Sequence, residues 1–173
     1  MKSKILLLGI LFIFTASQAY SQKCKYDYQK KDPITGEETK GSTFRVVRKN
    51  GFWWDLKLNK TGNQYNVGIY AIIGGAINEA IVPKSEINLK LEDGSIITIY
   101  ANEEYRASLR PVGTVGVVSD FNAVYNISEA DMQKLASSPL EYVKMELGTR
   151  TYDESLKAKQ GKAFQRMAQC MLE

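Results

Sequence analysis

The 173-residue chain contains no histidine. That absence excludes Ser-His-Asp and Cys-His catalysis, histidine-ligated zinc and a histidine pH switch. Cysteine is scarce, with Cys24 and Cys170 the only thiols. In an oxidising compartment an even count with no other thiols suggests one bridge, and two unpaired buried thiols are the alternative. Bridged cysteines would leave enzyme chemistry to carboxylates, Lys or Tyr. No sign of charge dominates either: 23 Lys and Arg stand against 19 Asp and Glu. Removing Lys2 and Lys4 from the cations lowers the net charge from +4 to +2, which leaves no electrostatic footprint for a nucleic-acid partner. Long apolar runs are also missing. The stretch from Ile5 to Ala16 is about twelve residues, whereas a spanning helix needs roughly 18 or more. There are no internal repeats and no low-complexity tracts.

What is present begins with that short apolar run. Lys2 and Lys4 form a positive start, Ile5 to Ala16 carry no charge, and Ala16-Ser17-Gln18-Ala19-Tyr20-Ser21 supplies small residues. This is the grammar of a secretory signal peptide over residues 1–21, cleaved after Ala19 or Ser21. The expected setting is therefore exported, periplasmic or secreted. Lipidation of Cys24 would want a small residue just before it, and Lys23 stands there. Residues 22–173 then form one globular domain of ordinary size.

The middle of the chain is written in period two. Phe52, Trp54, Leu56 and Leu58 alternate with Trp53, Asp55, Lys57 and Asn59, and Tyr65, Val67, Ile69 and Ala71 alternate with polar residues. Thr61-Gly62 lies between the runs, so they read as a hairpin. If Lys60 opposes Asn63, Leu58 meets Tyr65, Leu56 meets Val67 and Trp54 meets Ile69, which makes one wholly apolar face. Pairing Asn59 with Asn63 instead sets Leu58 against Gln64. The apolar register is expected, and it places Trp53 opposite Tyr70. A second hairpin turns at Glu92-Asp93-Gly94, with Gly94 left-handed, Leu89 against Ile97 and Ile87 against Ile99. Asp32-Pro33-Ile34-Thr35-Gly36 is a turn linking a strand near 25–29 to one beginning near Thr43. Val115 to Val118, Phe121 to Ile127, Glu141 to Leu147 and Thr151 to Leu156 are further strands.

Two helices are expected. Ser128 caps one that runs to about 137 before Pro139, with Asp131 at its third position. The other starts near Leu156 and closes the chain, with Leu156, Ala163, Phe164, Met167, Ala168 and Met171 on one arc and Lys159, Lys162 and Arg166 opposite. The fold class is α+β: a mainly antiparallel sheet of about seven or eight strands, which a sandwich would accommodate, with the C-terminal helix packed on it.

Cys24-Lys25-Tyr26, Asp32-x-x-Thr35-Gly36, the Leu91-Glu92-Asp93-Gly94-Ser95 hairpin, Ile127-Ser128-Glu129-Ala130-Asp131 and the closing Cys170-Met171-Leu172 resemble small uncharacterised exported proteins common in Bacteroidota. The resemblance covers nearly the whole chain after the leader. It implies a bacterial envelope or secreted setting and a cysteine near each end, and it carries no activity or ligand.

No catalytic or metal-ligating residue stands out, and no cofactor is expected. Glu103-Glu104 and Asp153-Glu154 are adjacent pairs, and adjacent strand residues point to opposite faces, so neither predicts two converging carboxylates. Gly113 and Gly116 precede a strand and lack the helix N-terminus of a phosphate loop. Asn59-Lys60-Thr61 and Asn126-Ile127-Ser128 match the glycosylation sequon, which matters only in a eukaryote. Trp53 breaks its pattern, because it shares the polar face with Asp55, Lys57 and Asn59. Trp53 with Tyr70 is the candidate binding site, suited to a sugar ring or a partner protein; a covering sheet or helix would make the pair structural instead. The expected function is a non-catalytic binding or interaction module of the cell envelope whose partner is an envelope protein or glycan. The alternatives are a carboxylate-dependent hydrolase of envelope polymers and a structural subunit of an envelope complex.

Overall fold

The computed structural model describes residues 24–114 and 116–173, so the leader expected over 1–21 and its two cleavage positions lie outside the described residues. The chain first lays down β1 (Tyr28–Lys31), β2 (Glu38–Lys49), β3 (Phe52–Thr61) and β4 (Gln64–Gly74). Then follow β5 (Ala80–Ile81), β6 (Glu86–Leu91), β7 (Ile96–Tyr100), β8 (Tyr105–Arg106), β9 (Ser108–Val112) and β10 (Gly116–Ile127). Helix α1 (Glu129–Ser137), strands β11 (Leu140–Leu147) and β12 (Arg150–Ser155), and helix α2 (Ala158–Leu172) complete it. All pairings are antiparallel. One sheet runs β1-β2-β3-β4-β10-β9, a second β12-β11-β6-β7, and β5 pairs with β8. The α+β class holds, but with twelve strands among the described residues, more than the seven or eight expected. The ones not anticipated are β5 and β8, of two residues each, and β9, which is exposed along its whole length and so shows no alternation.

The two larger sheets and both helices share one core. Trp54, Leu56, Val67, Ile69, Leu89, Ile97, Phe121, Val143 and Phe164 are all buried in it. Helix α2 touches β2 and β3 of the first sheet and β11 of the second, and Phe164 meets Phe44 edge to face with ring centroids 5.2 Å apart. Its buried line is Gly161, Phe164, Ala168 and Met171, while Ala163, expected on the same arc, is exposed. Gly161 replaces it because α2 lies against β11 so closely that a Cβ there would strike the Leu140 carbonyl oxygen. Lys159, Lys162 and Arg166 face outward as expected. Helix α1 opens with the Ser128 Oγ accepting from the Asp131 N–H at 3.1 Å.

Cys24 and Cys170 are bridged, with Cα atoms 5.6 Å apart. The bridge sits beside the end of α2, where the Tyr26 hydroxyl donates to the Cys170 carbonyl at 2.8 Å. Lys40, only 4% exposed, donates to the same carbonyl at 3.1 Å and to the Tyr26 oxygen at 3.2 Å. A cation and a hydroxyl thus satisfy a helix C-terminus, where carbonyls would otherwise be orphaned. No helix among the described residues is long and apolar enough to cross a membrane.

Three local expectations need correction. The first hairpin pairs Leu58 with Val67, Leu56 with Ile69 and Trp54 with Ala71, two residues away from the register expected. A two-residue slip keeps every side chain on its face, so the apolar test accepts both registers. The turn decides: Gly62, with φ +55°, and Asn63 form the loop, and Thr61 opposes Gln64. A left-handed glycine at the first central position is the two-residue turn whose twist matches the strands. The Asp32 turn forms, its Oδ1 accepting from the Ile34 and Thr35 N–H groups at 2.7 and 2.8 Å. It joins strands that lie at 28–31 and 38–49, however, not 25–29 and 43 onward. Finally, the two short strands expected between 115 and 127 are one, Gly116–Ile127. The second hairpin stands as expected, with Leu89 on Ile97, Ile87 on Ile99 and Gly94 at φ +85°.

Candidate functional site

The outer face of the six-stranded sheet carries the candidate residues. Alternation along β3 turns Trp54, Leu56 and Leu58 inward and Trp53, Asp55, Lys57 and Asn59 outward. Helix α2 packs on the inward side, through Phe164 against Phe44. Among the described residues the elements in substantial contact with β3 are its neighbours β2 and β4 and helix α2, which lies on the inward side.

The expected facing of Trp53 and Tyr70 does not occur. Trp53 pairs with Ile72 and Asp55 pairs with Tyr70, so the two aromatics are diagonal neighbours with a carboxylate between them. Nor is Trp53 bare. A bulge between Arg45 and Val47 adds one residue to β2, which sets Arg45 against Asp55 and Arg48 against Trp53. Without the extra residue, alternation would send Arg48 to the core side. The guanidinium carbons of Arg45 and Arg48 lie 3.9 and 4.9 Å from the Trp53 ring centroid. A planar cation over an indole face is a favourable arrangement. Asp55 ties the group together. Its carboxylate accepts from Arg45 Nε, from Arg45 Nη2 at 3.2 Å and from Trp53 Nε1 at 2.9 Å. It is 4% exposed, so these bonds compensate a charge that burial would otherwise penalise.

The cationic character continues across the sheet. Lys57 Nζ lies 5.2 Å from the Tyr70 ring centroid. Tyr70 pairs with Asn122 on its far side. Arg110 on the edge strand binds Asp120 through Nε at 2.9 Å and Nη2 at 3.4 Å. That hydrogen bond and the Asp120 charge raise the Arg110 pKa above its ordinary value, and Tyr70 adds to the shift. Both carboxylates of this face, Asp55 and Asp120, are therefore engaged by arginine. Among the described residues Arg48 and Lys57 have no carboxylate partner, which leaves the face positive.

Sequence patterning found Trp53 and Tyr70 and set Lys57 on the same face, but missed Arg45 and Arg48 as their companions. Arg45 and Lys57 were legible from alternation. Arg48 was not, because only the bulge brings it round. The paired carboxylates diverge as strand geometry requires: Asp153 accepts from the Tyr142 hydroxyl at 2.8 Å, while Glu154 binds Lys49 at 2.7 Å. Glu104 pairs with Arg106. Among the described residues no three carboxylates or cysteines gather as a metal ligand set would. Searches of protein-family models, of the curated proteins and of the solved structures find no match to this chain.

Proposed function

We propose that this protein is an exported, non-catalytic binding module of the bacterial cell envelope that takes an acidic glycan on the outer face of its six-stranded sheet. The observation that carries this reading is the Arg45–Trp53–Arg48 stack with Lys57 and Tyr70 beside it. It offers a row of aromatic and cationic groups, two of the cations lacking a carboxylate. Asp55 holds the stack rigid before any ligand arrives, which lowers the ordering cost of binding. An acidic sugar polymer supplies what the face lacks, a carboxylate or phosphate for Arg48 and Lys57, and Arg is suited to bidentate capture of either. Hydrolysis has less support here, since the two carboxylates of the face are each bound by arginine and neither is left to act on a substrate.

Gel electrophoresis through immobilised polygalacturonate, with neutral dextran as the control, tests the reading. The wild-type protein should be retarded by the acidic polymer alone, and added salt should weaken the effect. The Arg48→Ala/Lys57→Ala variant should lose the retardation and keep its melting temperature within a few degrees, because both side chains lie outside the core. Equal mobility of wild type in the two gels would overturn the proposal, as would full retardation of the variant.

A further inference from the structure

The two larger sheets end in four edge strands, and three of them are protected against pairing with another chain. β1 reads Tyr-Gln-Lys-Lys, β9 reads Ser-Leu-Arg-Pro-Val, and β12 carries Arg150, Asp153 and Glu154. Lysine, proline and charge are the usual means of blunting an edge. β7 has none of these. It is Ile-Ile-Thr-Ile-Tyr, β-branched or aromatic throughout and uncharged. Its outward side chains are unusually apolar, Ile96 being 60% and Tyr100 50% exposed.

The hydrogen-bond pattern shows which backbone groups of β7 are free. At one end of the β6–β7 ladder Leu91 N–H donates to the Ser95 carbonyl at 2.9 Å, and at the other Ala101 N–H donates to the Ser85 carbonyl at 3.0 Å. Both pairs belong to the register that sets Leu89 on Ile97 and Ile87 on Ile99. Bonded pairs recur every second residue in an antiparallel ladder, so Ile97 and Ile99 bond to β6. Ile96, Thr98 and Tyr100 then direct their N–H and C=O groups away from the sheet. No other strand pairs with them among the described residues.

From this we infer that β7 pairs antiparallel with β7 of a second copy of the chain, about a two-fold axis at Thr98. The strand is complementary to itself in that register. Thr98 faces Thr98, and Ile96 faces Tyr100 of the other copy at both ends, a β-branched residue against an aromatic one. All three outward residues are used on each copy, whereas a shift by two sets Tyr100 against Gly94 in one direction and Ile96 against Asn102 in the other, both beyond the strand. The pair joins two four-stranded sheets into one continuous sheet with isologous symmetry. An edge of five residues lies at the small end of specific interfaces, so the dimer is weak and concentration-dependent.

Sedimentation equilibrium of the purified protein, taken from the micromolar into the millimolar range, tests this. The expected result is a reversible monomer–dimer equilibrium. Ile96→Lys with Tyr100→Lys places like charges opposite each other and should abolish the dimer. Ile96→Lys with Tyr100→Glu places opposite charges there and should restore it, in a form weakened by salt. Should either variant fold poorly, amide hydrogen exchange on wild type answers the same question. Exchange at Ile96, Thr98 and Tyr100 should slow as concentration rises, while that at Ile97 and Ile99 stays unchanged. A wild-type monomer throughout the range overturns the inference, and so does a dimer indifferent to the paired lysines. A sheet edge that binds only some other protein's strand would give the first of those results.

Discussion

Gly161 sits inside α2, where glycine is about 1 kcal/mol worse than alanine, yet a Cβ there would strike the Leu140 carbonyl on β11. The obstacle is backbone, which cannot rotate aside, so the packing clash outweighs the propensity gain. Gly161→Ala should therefore destabilise the protein, by about 1–3 kcal/mol as over-packing usually does. A higher urea midpoint in that variant would show that α2 does not approach β11 so closely. Neighbouring residues on β3 offer a second contrast. Leu56 is fully buried and Lys57 lies on the outer face. Leu56→Ala should cost about 2–5 kcal/mol and Lys57→Ala no more than about 0.5. Equal losses in urea unfolding would mean that the two side chains do not lie on opposite faces. Trp53 belongs to neither class, being held by two arginines and a carboxylate at the surface. Its pattern-breaking position was legible in the sequence, and its environment was not.

At the scale of elements, α1 illustrates local determinants that tertiary packing leaves intact. Ser128 caps it, and Asp131 binds Lys134 Nζ at 2.6 Å and the Ser128 hydroxyl at 2.7 Å. The lysine bond first, and the serine bond after it, hold the Asp131 carboxyl below the usual carboxylate range. A depressed folded value stabilises the native state above the unfolded carboxylate pKa, and the gain is lost as pH falls through the folded one. Asp131→Asn should accordingly lower stability near neutral pH and lose its effect in strong acid. Melting curves of wild type and variant that keep a constant separation down to pH 2 would contradict this. The β3–β4 hairpin shows the opposite case. Its faces follow from alternation, but its register depends on which residues take the turn, and hydrophobic matching is blind to a slip of two.

Across the whole molecule, the Cys24–Cys170 bridge spans a sequence separation of 146 residues. Closing a loop of that length is worth up to about 5 kcal/mol in the chain-entropy account. The buried Lys40 and Tyr26 already tie the same end of α2 to the first sheet. Reduction should therefore lower the urea midpoint by a few kcal/mol in equivalent stability and leave the native far-ultraviolet spectrum in place. Loss of that spectrum in reductant without denaturant would mean that the bridge, not the core, holds the sheets together. Non-reducing peptide mapping of the native protein checks the bond itself, with the Cys24 and Cys170 peptides expected to be joined.

Sequence alone determined the lack of histidine chemistry, the α+β class, the buried faces of β3, β4, β6 and β7, the Ser128 cap and the only available cysteine pair. Each depends on residue identity or on a period of two or 3.6, which a chain carries locally. Tertiary structure decided the division into three sheets, the β3–β4 register, the closeness of α2 to β11 and the company Trp53 keeps. The bulge in β2 is the clearest instance. One residue that alternation cannot foresee brings Arg48 round to join Arg45 over the indole, and with it the positive face on which a function can be argued. Such placements depend on contacts between strands distant in sequence, where the energy of a register belongs to the pair and is not written in either strand.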